Sequence, residues 1–507
     1  MIRKTAILCI IIGALAALGQ VLGLDLPSLA WFFNVHVIFG WVSCAVLVVG
    51  GLAALFTLPA KVNWNPVTLS RFRRFRSIGR GWWSLLILLV LLVLALLDQT
   101  LVGRRALMVS YEGKTYFPAF VKERYTSSTF GVPGEGEADY RALKARITKE
   151  NLEGFVIMPP VPWAQVLDSD DQQTVTLEEK DGKLYKPGAE EPYSGRAMRY
   201  YVDNPTQRHT DMRVRRGLPD GEWLGYGPDG GLAVRAFYAS GKKLREAFPG
   251  ELTAEQFAQQ QAGPLTATLY PPIPPLARAG HYLGTDSRGW DVLAQIYGGW
   301  QVNLKAIIIY LLITYTFGVV IGILMGFWGG LFDMFFQRII EILEQLPFLY
   351  IVMIVVSIIG VANMNLPWLL GIICIFSWTS LTYSMRALAY KEKERDYIAA
   401  ARLQGASTWR IITRYLLPNV LATLVTVIPF SVVGIITALT ALSFIGFGLP
   451  PHYPSWGWLF DDGINNLTAY WINGSMFIVT VLVLLLVTFV GEALREAFDP
   501  KKFSTYQ

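Results

Sequence analysis

Charge is scarce in this chain. Of its 507 residues, only 16% are Asp, Glu, Lys or Arg, where soluble chains carry roughly a quarter. That deficit argues against a soluble enzyme and against a disordered scaffold. Cysteine is scarcer still. Cys9, Cys44 and Cys374 each sit inside an apolar run, with no spacing that suggests a disulfide framework or a zinc site. The four histidines, His36, His209, His281 and His452, are scattered. Redox and metal chemistry are therefore not indicated. No phosphate-binding loop is present either. Gly113-Lys114-Thr115 imitates the end of one, but Met108 stands where the first glycine should be.

The charges that do occur are unevenly placed. Residues 101–280 hold 46 of the 82, balanced at 23 of each sign. The net charge of +6 thus belongs wholly to the apolar remainder, which speaks against a nucleic-acid partner. Segment 58–81 alone supplies Lys61, Arg71, Arg73, Arg74, Arg76 and Arg80 with no acid. Basic clusters beside apolar runs mark the cytoplasmic side of a membrane.

A spanning helix needs about 20 mostly apolar residues. Candidates lie near 5–24, 31–58, 82–100, 302–328, 348–364, 367–388, 419–447 and 475–495. Arg3 and Lys4, the 58–81 cluster, the basic loop 389–418, and Arg495, Lys501 and Lys502 are all satisfied as cytoplasmic by eight spans. Both termini are then inside and 101–300 is outside. Segment 1–24 also reads as a cleaved signal peptide; its long apolar stretch, with no clear A-x-A site before a polar start, favours an uncleaved span.

The charged block reads as short strands and turns over 183–245. Asp220-Gly221 and Asp229-Gly230 are hairpin-type dipeptides. Stretches beginning at Gly195 and Gly221 look like imperfect copies roughly 26 residues apart, similar to Gly/aromatic hairpin repeats of the MORN type. An ordinary antiparallel sheet explains them equally well. Pro271 to Pro275 form an extended lead toward the next span.

The stretch 396–418 is polar to amphipathic and lies between two spans. An alanine-rich helix is followed by Gly405, then by a second helix near 407–416, with Pro418 ending it. Two short helices around a glycine make a shelf on which a soluble partner can dock. The stretch resembles the EAA loop of ABC-importer membrane subunits, E-A-A-x3-G-x9-I-x-L-P. Its anchors fall on Ala399, Ala400, Ala401, Gly405, Tyr415, Leu417 and Pro418. Ala399 replaces Glu and Tyr415 replaces Ile, which removes any ion pair made by that carboxylate in relatives. The run His281 to Leu293, HYLGTDSRGWDVL, resembles the entry to the core of dipeptide and oligopeptide permeases of the C type, with Trp290 in place of Arg. Ala441 to Pro450, then Pro454-Ser455-Trp456-Gly457, and Gly491 to Lys502 also resemble these subunits. The likeness is strongest to permeases of microcin C and oligopeptide importers. It covers about 70–165 and 265–502; residues 1–65 and about 166–262 lie outside it.

The resemblance implies an α-helical polytopic membrane protein. Two additional N-terminal spans (1–60) and a basic linker (61–81) precede a six-span type I importer core. That core begins at 82–100 and resumes over 301–507, with the coupling loop at 389–418. Between them lies an extracytoplasmic domain, 101–300, whose insertion at about 166–262 is mostly β. The implied assembly has a second permease subunit, two ABC ATPase subunits that hold ATP and Mg, an external peptide-binding protein and the bilayer. The chain itself would bind no cofactor and carry no catalytic residue. Glu341 and Glu344 are candidates for the translocation path, because ionisable groups at membrane depth are functional candidates; an interfacial position explains them too. Gly318, Gly322 and Gly326 read as a small face for helix packing. Two other functions fit less of the chain: a permease whose external domain mainly docks an envelope partner, and a membrane-anchored envelope-binding sensor.

Overall fold

The computed structural model describes residues 2–22, 44–45, 47–50, 52, 66–121, 124–132, 136–169, 173–186, 191–204, 207–249 and 253–498. They divide into two units. One comprises Met1–Asp168, Pro274–Asp286 and Trp290–Gln507; the other comprises Ser169–Ile273 and Ser287–Gly289.

The first unit is mostly helical. α1 (Ile2–Val21), α2 (Pro66–Ser77) and α3 (Gly79–Leu96) come first. A small subdomain follows, in which β1 (Met108–Tyr111) pairs with both β2 (Lys114–Tyr116) and β3 (Gly154–Ile157). Its helix α4 (Tyr140–Glu150) is N-capped by Asp139, whose carboxylate accepts from the amides of Arg141 and Ala142. Phe130 and Tyr140 fill its core. The glycine that imitated a phosphate loop lies in a hairpin turn here. Glu112 and Gly113, at φ of 48° and 74°, join β1 to β2 with the two positive φ values that a two-residue hairpin requires.

The remaining helices are α5 (Val292–Trp328), α6 (Gly330–Gln345), α7 (Phe348–Ile359), α8 (Leu366–Lys393), α9 (Asp396–Leu403), α10 (Thr408–Ile411), α11 (Leu417–Leu424), α12 (Ile428–Phe444), α13 (Trp456–Asn465) and α14 (Tyr470–Phe498). Among the described residues four helices are long and apolar enough to cross a membrane: α3, α5, α8 and α14. They fall on the expected spans at 82–100, 302–328, 367–388 and 475–495. Two other expectations change. The span near 348–364 is the 12-residue α7, too short to cross alone. It follows α6 after Leu346 and Pro347 with a bend of 77°, because proline at the junction cannot continue the helix before it. The span at 419–447 is divided into α11 and α12, which restarts with Pro429 in its first turn. Of the expected span at 31–58, most lies outside the described residues.

Two packing features fix this unit. At its entry, the buried Asp291 caps α5. One carboxylate oxygen accepts from the amide of Ala294 at 2.7 Å, and the other meets Nδ1 of the buried His281 at 2.8 Å. Asp286 accepts from the Trp290 amide at 2.9 Å and from Gln295 Nε2 at 3.0 Å. Trp471 of α14 donates its indole N–H to the Thr285 carbonyl at 3.1 Å. His281 stacks on Trp163 at 4.2 Å, and the Arg141 guanidinium lies 3.8 Å from the centre of the same Trp163 ring. The family-like run 281–293 is therefore a polar knot that ties α5, α14 and the small subdomain together.

Farther along, α5 lies against α8 with almost no gap. A Cβ on Gly322 would stand 2.6 Å from the Thr382 carbonyl, and one on Gly326 would stand 2.6 Å from the Arg386 carbonyl. Gly318 faces Leu381. The three glycines are a packing face that lets two backbones touch.

The second unit is a seven-stranded antiparallel sheet in the order β11-β10-β9-β8-β7-β12-β4. Its strands are β4 (Gln173–Thr176), β7 (Gly195–Tyr200), β8 (Arg208–Arg215), β9 (Leu218–Tyr226), β10 (Leu232–Ala239), β11 (Lys242–Ala247) and β12 (Thr266–Leu269). β5 (Glu178–Lys180) and β6 (Lys183–Tyr185) form a separate hairpin. Asp229-Gly230 does turn the chain between β9 and β10. Asp220-Gly221 does not: both residues lie inside β9. The turn before β9 is Arg216-Gly217, with φ of 50° and 80°, so a positive-φ arginine took the place of the expected dipeptide. The short helix Ala254–Ala258 places Phe257 on the sheet, stacked 4.7 Å from His209.

His209 is 6% exposed and its Nε2 has no hydrogen-bond partner among the described residues. Burial, with some help from the charge of Arg199, holds its pKa below the ordinary value. The imidazole is neutral in the fold, whereas the unfolded chain takes up a proton below about pH 6.5. This stabilisation is thus complete above that value and declines as the pH falls through and below it. Amide protection of β8 and β9, taken relative to the intrinsic exchange rate at each pH, should fall between pH 7.5 and 5.5 in the native chain, and less so in His209→Phe; an equal fall in both would show that another group responds. Overpacking costs roughly 1–3 kcal/mol, so Gly326→Ala and Gly322→Ala should each lower the melting temperature of the purified chain. An unchanged Tm in both would mean that α5 and α8 are not in contact as described.

Candidate coupling surface

The shelf begins where α8 ends. α9 is stopped at Gln404 by a left-handed glycine: Gly405 has φ of 76°. The Gly405 amide donates to the Arg402 carbonyl at 2.9 Å and the Ala406 amide to the Ala401 carbonyl at 3.0 Å. This pair of bonds is a Schellman closure. Ser407 then caps α10 by accepting from the Arg410 amide. A five-residue π-helical turn, Ile412–Leu416, follows and runs straight into α11. Here the sequence expectation needs correction. Pro418 does not end the second helix; it lies within the first turn of α11. The Leu417 amide reaches back to the Ile412 carbonyl, and this wider turn takes the chain past a residue with no N–H of its own.

One face of the shelf is buried. Ile398, Ala401, Ile411, Ile412 and Leu416 pack with Val319, Ile323 and Phe327 of α5 and with Leu381, Met385 and Ala389 of α8. The shelf is thus seated on the same two helices that the glycine face brings together. Polar ties reinforce the seat. The Tyr397 hydroxyl donates to Glu392 at 2.5 Å and accepts from the Asn419 amide at 3.0 Å. Burial first, and then the hydrogen bond to Glu392, raise the Tyr397 pKa, so the phenol stays protonated and remains a donor. Arg402 stands 5.6 Å over the Phe327 ring.

The opposite face is open. Leu403 is 91% exposed and Trp409 is 65% exposed, one on each side of the Gly405 turn. Ala399 and Ala400 are exposed beside them, and Pro418 is exposed; Ala401 is buried and Tyr415 and Leu417 are half-buried. The seven motif positions therefore divide between a seat (Ala401, Tyr415, Leu417), a turn (Gly405) and an outward face (Ala399, Ala400, Pro418). Sequence matching alone missed Leu403 and Trp409. Two large apolar residues within a polar loop were the signal that could have found them.

A second feature lies close by. Asp333 of α6, 7% exposed, takes two hydrogen bonds from Arg386 of α8, at 2.5 and 2.6 Å, and one from the Tyr390 hydroxyl at 2.9 Å. This forked pair ties α6 to α8 at the residue whose carbonyl Gly326 packs against. The two pathway candidates lie farther along α6. Glu341 is paired with Arg338 at 2.5 Å and is half-buried; Glu344 is exposed. They are three residues apart on one helix, and the structure does not bring them to the shelf. Among the described residues no cluster of His, Cys, Asp and Glu could hold a metal ion.

Residues 318–504 match the family described as the inner membrane component of binding-protein-dependent transport systems. The chain is 30% identical over 438 residues to the inner membrane ABC transporter permease protein YejE of Escherichia coli, covering 86% of this chain and 98% of that one. It is 28% identical over 444 residues to the peptidoglycan transport system permease protein YejE of Agrobacterium fabrum, covering 88% and 96%. It is 34% identical over 227 residues to the oligopeptide transport system permease protein OppC of Lactococcus lactis, covering 44% of this chain and 76% of that one. The matched segment 318–504 begins at the first glycine of the α5–α8 contact and includes the whole shelf.

The turn chemistry yields a graded expectation. A Cβ at position 405 meets nothing within 4 Å, so the cost of Gly405→Ala is conformational alone, about 1–2 kcal/mol. Gly405→Pro cannot adopt the positive φ and also removes the donor to Arg402. Amide exchange over residues 399–407 should rise modestly in the alanine variant and far more in the proline variant. Protection that is equal in all three chains would contradict the closure described.

Proposed function

The chain belongs to the family of inner membrane components of binding-protein-dependent transport systems, and from that premise we propose that it is the transmembrane subunit of an ATP-driven importer of peptides or peptide-like compounds. Three kinds of relative, named for oligopeptide, dipeptide and peptidoglycan transport, support the substrate class. The observation that carries the mechanism is the two-faced shelf, with one face seated on α5 and α8 and the other presenting Leu403 and Trp409.

In this reading the two exposed side chains enter grooves on an ABC ATPase subunit. Two such subunits hold ATP and Mg and perform the hydrolysis; a second permease completes the membrane path; an external peptide-binding protein delivers the substrate. Closure of the ATPases changes what the open face touches. Only such differential contact shifts a two-state equilibrium. The buried face passes the displacement to α5 and α8 together, and the Asp333–Arg386 fork passes it to α6. Glu341 and Glu344 would then line or flank the path on the helix that moves. Ala399 leaves no carboxylate at the start of the motif, so docking here relies on apolar contact and on the cations Arg402 and Arg410. The basic segments at 58–81 and 389–418 support an orientation with both termini in the cytoplasm and 101–300 outside.

The alternative, a permease whose external domain mainly docks an envelope partner, is favoured by one observation: Ser169–Ile273 has a sheet and apolar cluster of its own. Replacing that segment with a short flexible linker separates the two. Sustained uptake would assign the segment an accessory role, and abolished uptake by a correctly inserted chain would place it in transport.

Two outcomes test the main reading. The tagged chain should co-purify with ATPase subunits and a second permease, and Leu403→Asp with Trp409→Asp should lose the ATPases at least tenfold, as expected for apolar anchors at an interface centre. ATP-dependent uptake of short peptides by the reconstituted assembly should fall with it. Full retention of the ATPases by the double variant would remove the docking role from this face.

A further inference from the structure

α2 stands one residue ahead of the apolar helix α3. Its sequence, PVTLSRFRRFRS, carries four arginines and no acid. Ile78, in extended backbone, separates the two helices, and Trp82 and Trp83 follow at the start of α3. Tryptophans at the end of an apolar span mark the polar boundary of a bilayer. The inner side of α2 holds it at that boundary. Phe75 is buried among Val490, Ala493 and Ala497 of α14, and the rings of Phe72 and Phe75 meet Trp82 edge-on at 6.3 and 6.4 Å. Gly81 leaves no side chain between α3 and Ala493, so the ends of α3 and α14 form one closely packed seat for α2.

Leu69, Phe72, Arg73 and Arg76 fall at i, i+3, i+4 and i+7 and so share one stripe of α2. All four are exposed, Leu69 by 40% and Phe72 by 54%. This mixture suits neither uniform surrounding. Hydrocarbon would strand two guanidiniums, and water would leave two large apolar groups side by side and uncovered. At the level of the lipid head groups both are satisfied: the guanidiniums reach phosphates while the apolar groups rest on the acyl boundary. The cations are also in excess. Glu492 and Glu496 at the end of α14 face Arg80, at 3.7 and 3.5 Å. Arg71 lies 4.9 Å over the Phe498 ring. Arg73 and Arg76 form no ion pair among the described residues, and Arg76 lies 5.5 Å over the Trp82 ring, at the boundary itself. The stretches 53–65 and 499–507, next to α2 and α14 in the sequence, bring the side-chain charges of Lys61, Lys501 and Lys502 against that of Asp499, which adds to the excess.

We propose that α2 is an interfacial helix whose stripe binds the anionic phospholipids of the bilayer surface, with Arg73 and Arg76 on the phosphates and Leu69 and Phe72 at the acyl boundary. The proposal requires only that α3 crosses the bilayer. It is independent of the peptide reading and shares no residue with the shelf.

The test uses the full chain in nanodiscs of phosphatidylcholine alone or with about 30% phosphatidylglycerol, and reads amide exchange over residues 68–77. A helix of this length is marginal in water, so its protection reports what it rests on. Protection should be at least about fivefold greater with phosphatidylglycerol, the scale of one basic residue at an anionic surface. About 0.5 M NaCl should shrink that gain by screening. Arg73→Gln with Arg76→Gln should abolish it, whereas Arg73→Lys with Arg76→Lys, which keeps both charges, should retain it. Leu69→Ser with Phe72→Ser should lower protection in both bilayers, because the apolar contact does not depend on lipid charge. Equal protection of the native chain in the two bilayers overturns the proposal, and so does a gain that survives in the glutamine pair or is lost in the lysine pair. Soluble glycerol 3-phosphate should leave exchange unchanged; protection by it equal to that by the bilayer would make the stripe a simple anion site and defeat the lipid assignment. Protection that ignores lipid charge and arises only when ATPase subunits are added would give the stripe to a protein partner, and would equally overturn it.

Discussion

The close approach of α5 and α8 is the constraint on which the rest of this permease depends. Two helix backbones meet where Gly318, Gly322 and Gly326 leave no side chain between them. In a bilayer, lipid tails are as apolar as leucine, so tight packing replaces the hydrophobic effect as the force that holds helices together. Thr382 adds to it by donating to the Trp378 carbonyl and, more distantly, to the Gly318 carbonyl across the contact, at 2.8 and 3.4 Å. The two helices form one closely packed pair. The shelf sits on its end, and the Asp333–Arg386 fork attaches α6 to its side. Leu403 and Trp409 flank a seat, Ile398, Ala401, Ile411, Ile412 and Leu416, that packs directly on α5 and α8.

The other end of α5 is secured by different means. The knot around Asp291 is polar and fully buried, a placement that is tolerable only because nearly every group has a partner. Asp291 answers both the helix amide and His281; Asp286 answers Trp290 and Gln295. The knot also makes an ordered boundary. Below it, packing is apolar and continuous through Trp456, which stacks on Trp300 at 6.1 Å and donates to the Ile296 carbonyl at 3.0 Å. Above it, the small subdomain is attached through the Arg141–Trp163–His281 column.

Much of this was legible before the structure. Long uncharged runs locate α3, α5, α8 and α14 because lipid admits few charges. The glycine spacing announced a packing face, and Gly405 announced a break between two helices. What the sequence concealed was set by local context. Pro347 and the bend it enforces turned one expected span into part of an angled pair. The π turn at Ile412–Leu416 carried a helix through Pro418, where proline ordinarily signals an end. Arg216 adopted a positive φ that pattern rules assign to Asn, Asp or Gly. His281 and Asp291, ten residues apart, were readable only as a family-like run; their pairing depends on a loop that folds back on itself. Leu403 and Trp409 looked like ordinary loop residues until the buried face of the shelf was known, because exposure is a property of the fold.

The central claim is that the shelf moves with α5 and α8 as one body. Spin labels at Leu403 and Trp328, both exposed and located on the shelf and at the end of α5, report on it directly. Measured by pulsed dipolar spectroscopy in the assembled importer, their separation should be the same with ATP trapped as without nucleotide, even as labels across the two permeases change distance. A distance distribution between Leu403 and Trp328 that shifts beyond its own width between the two states would show α9 moving independently of α5, and would contradict the rigid transmission described.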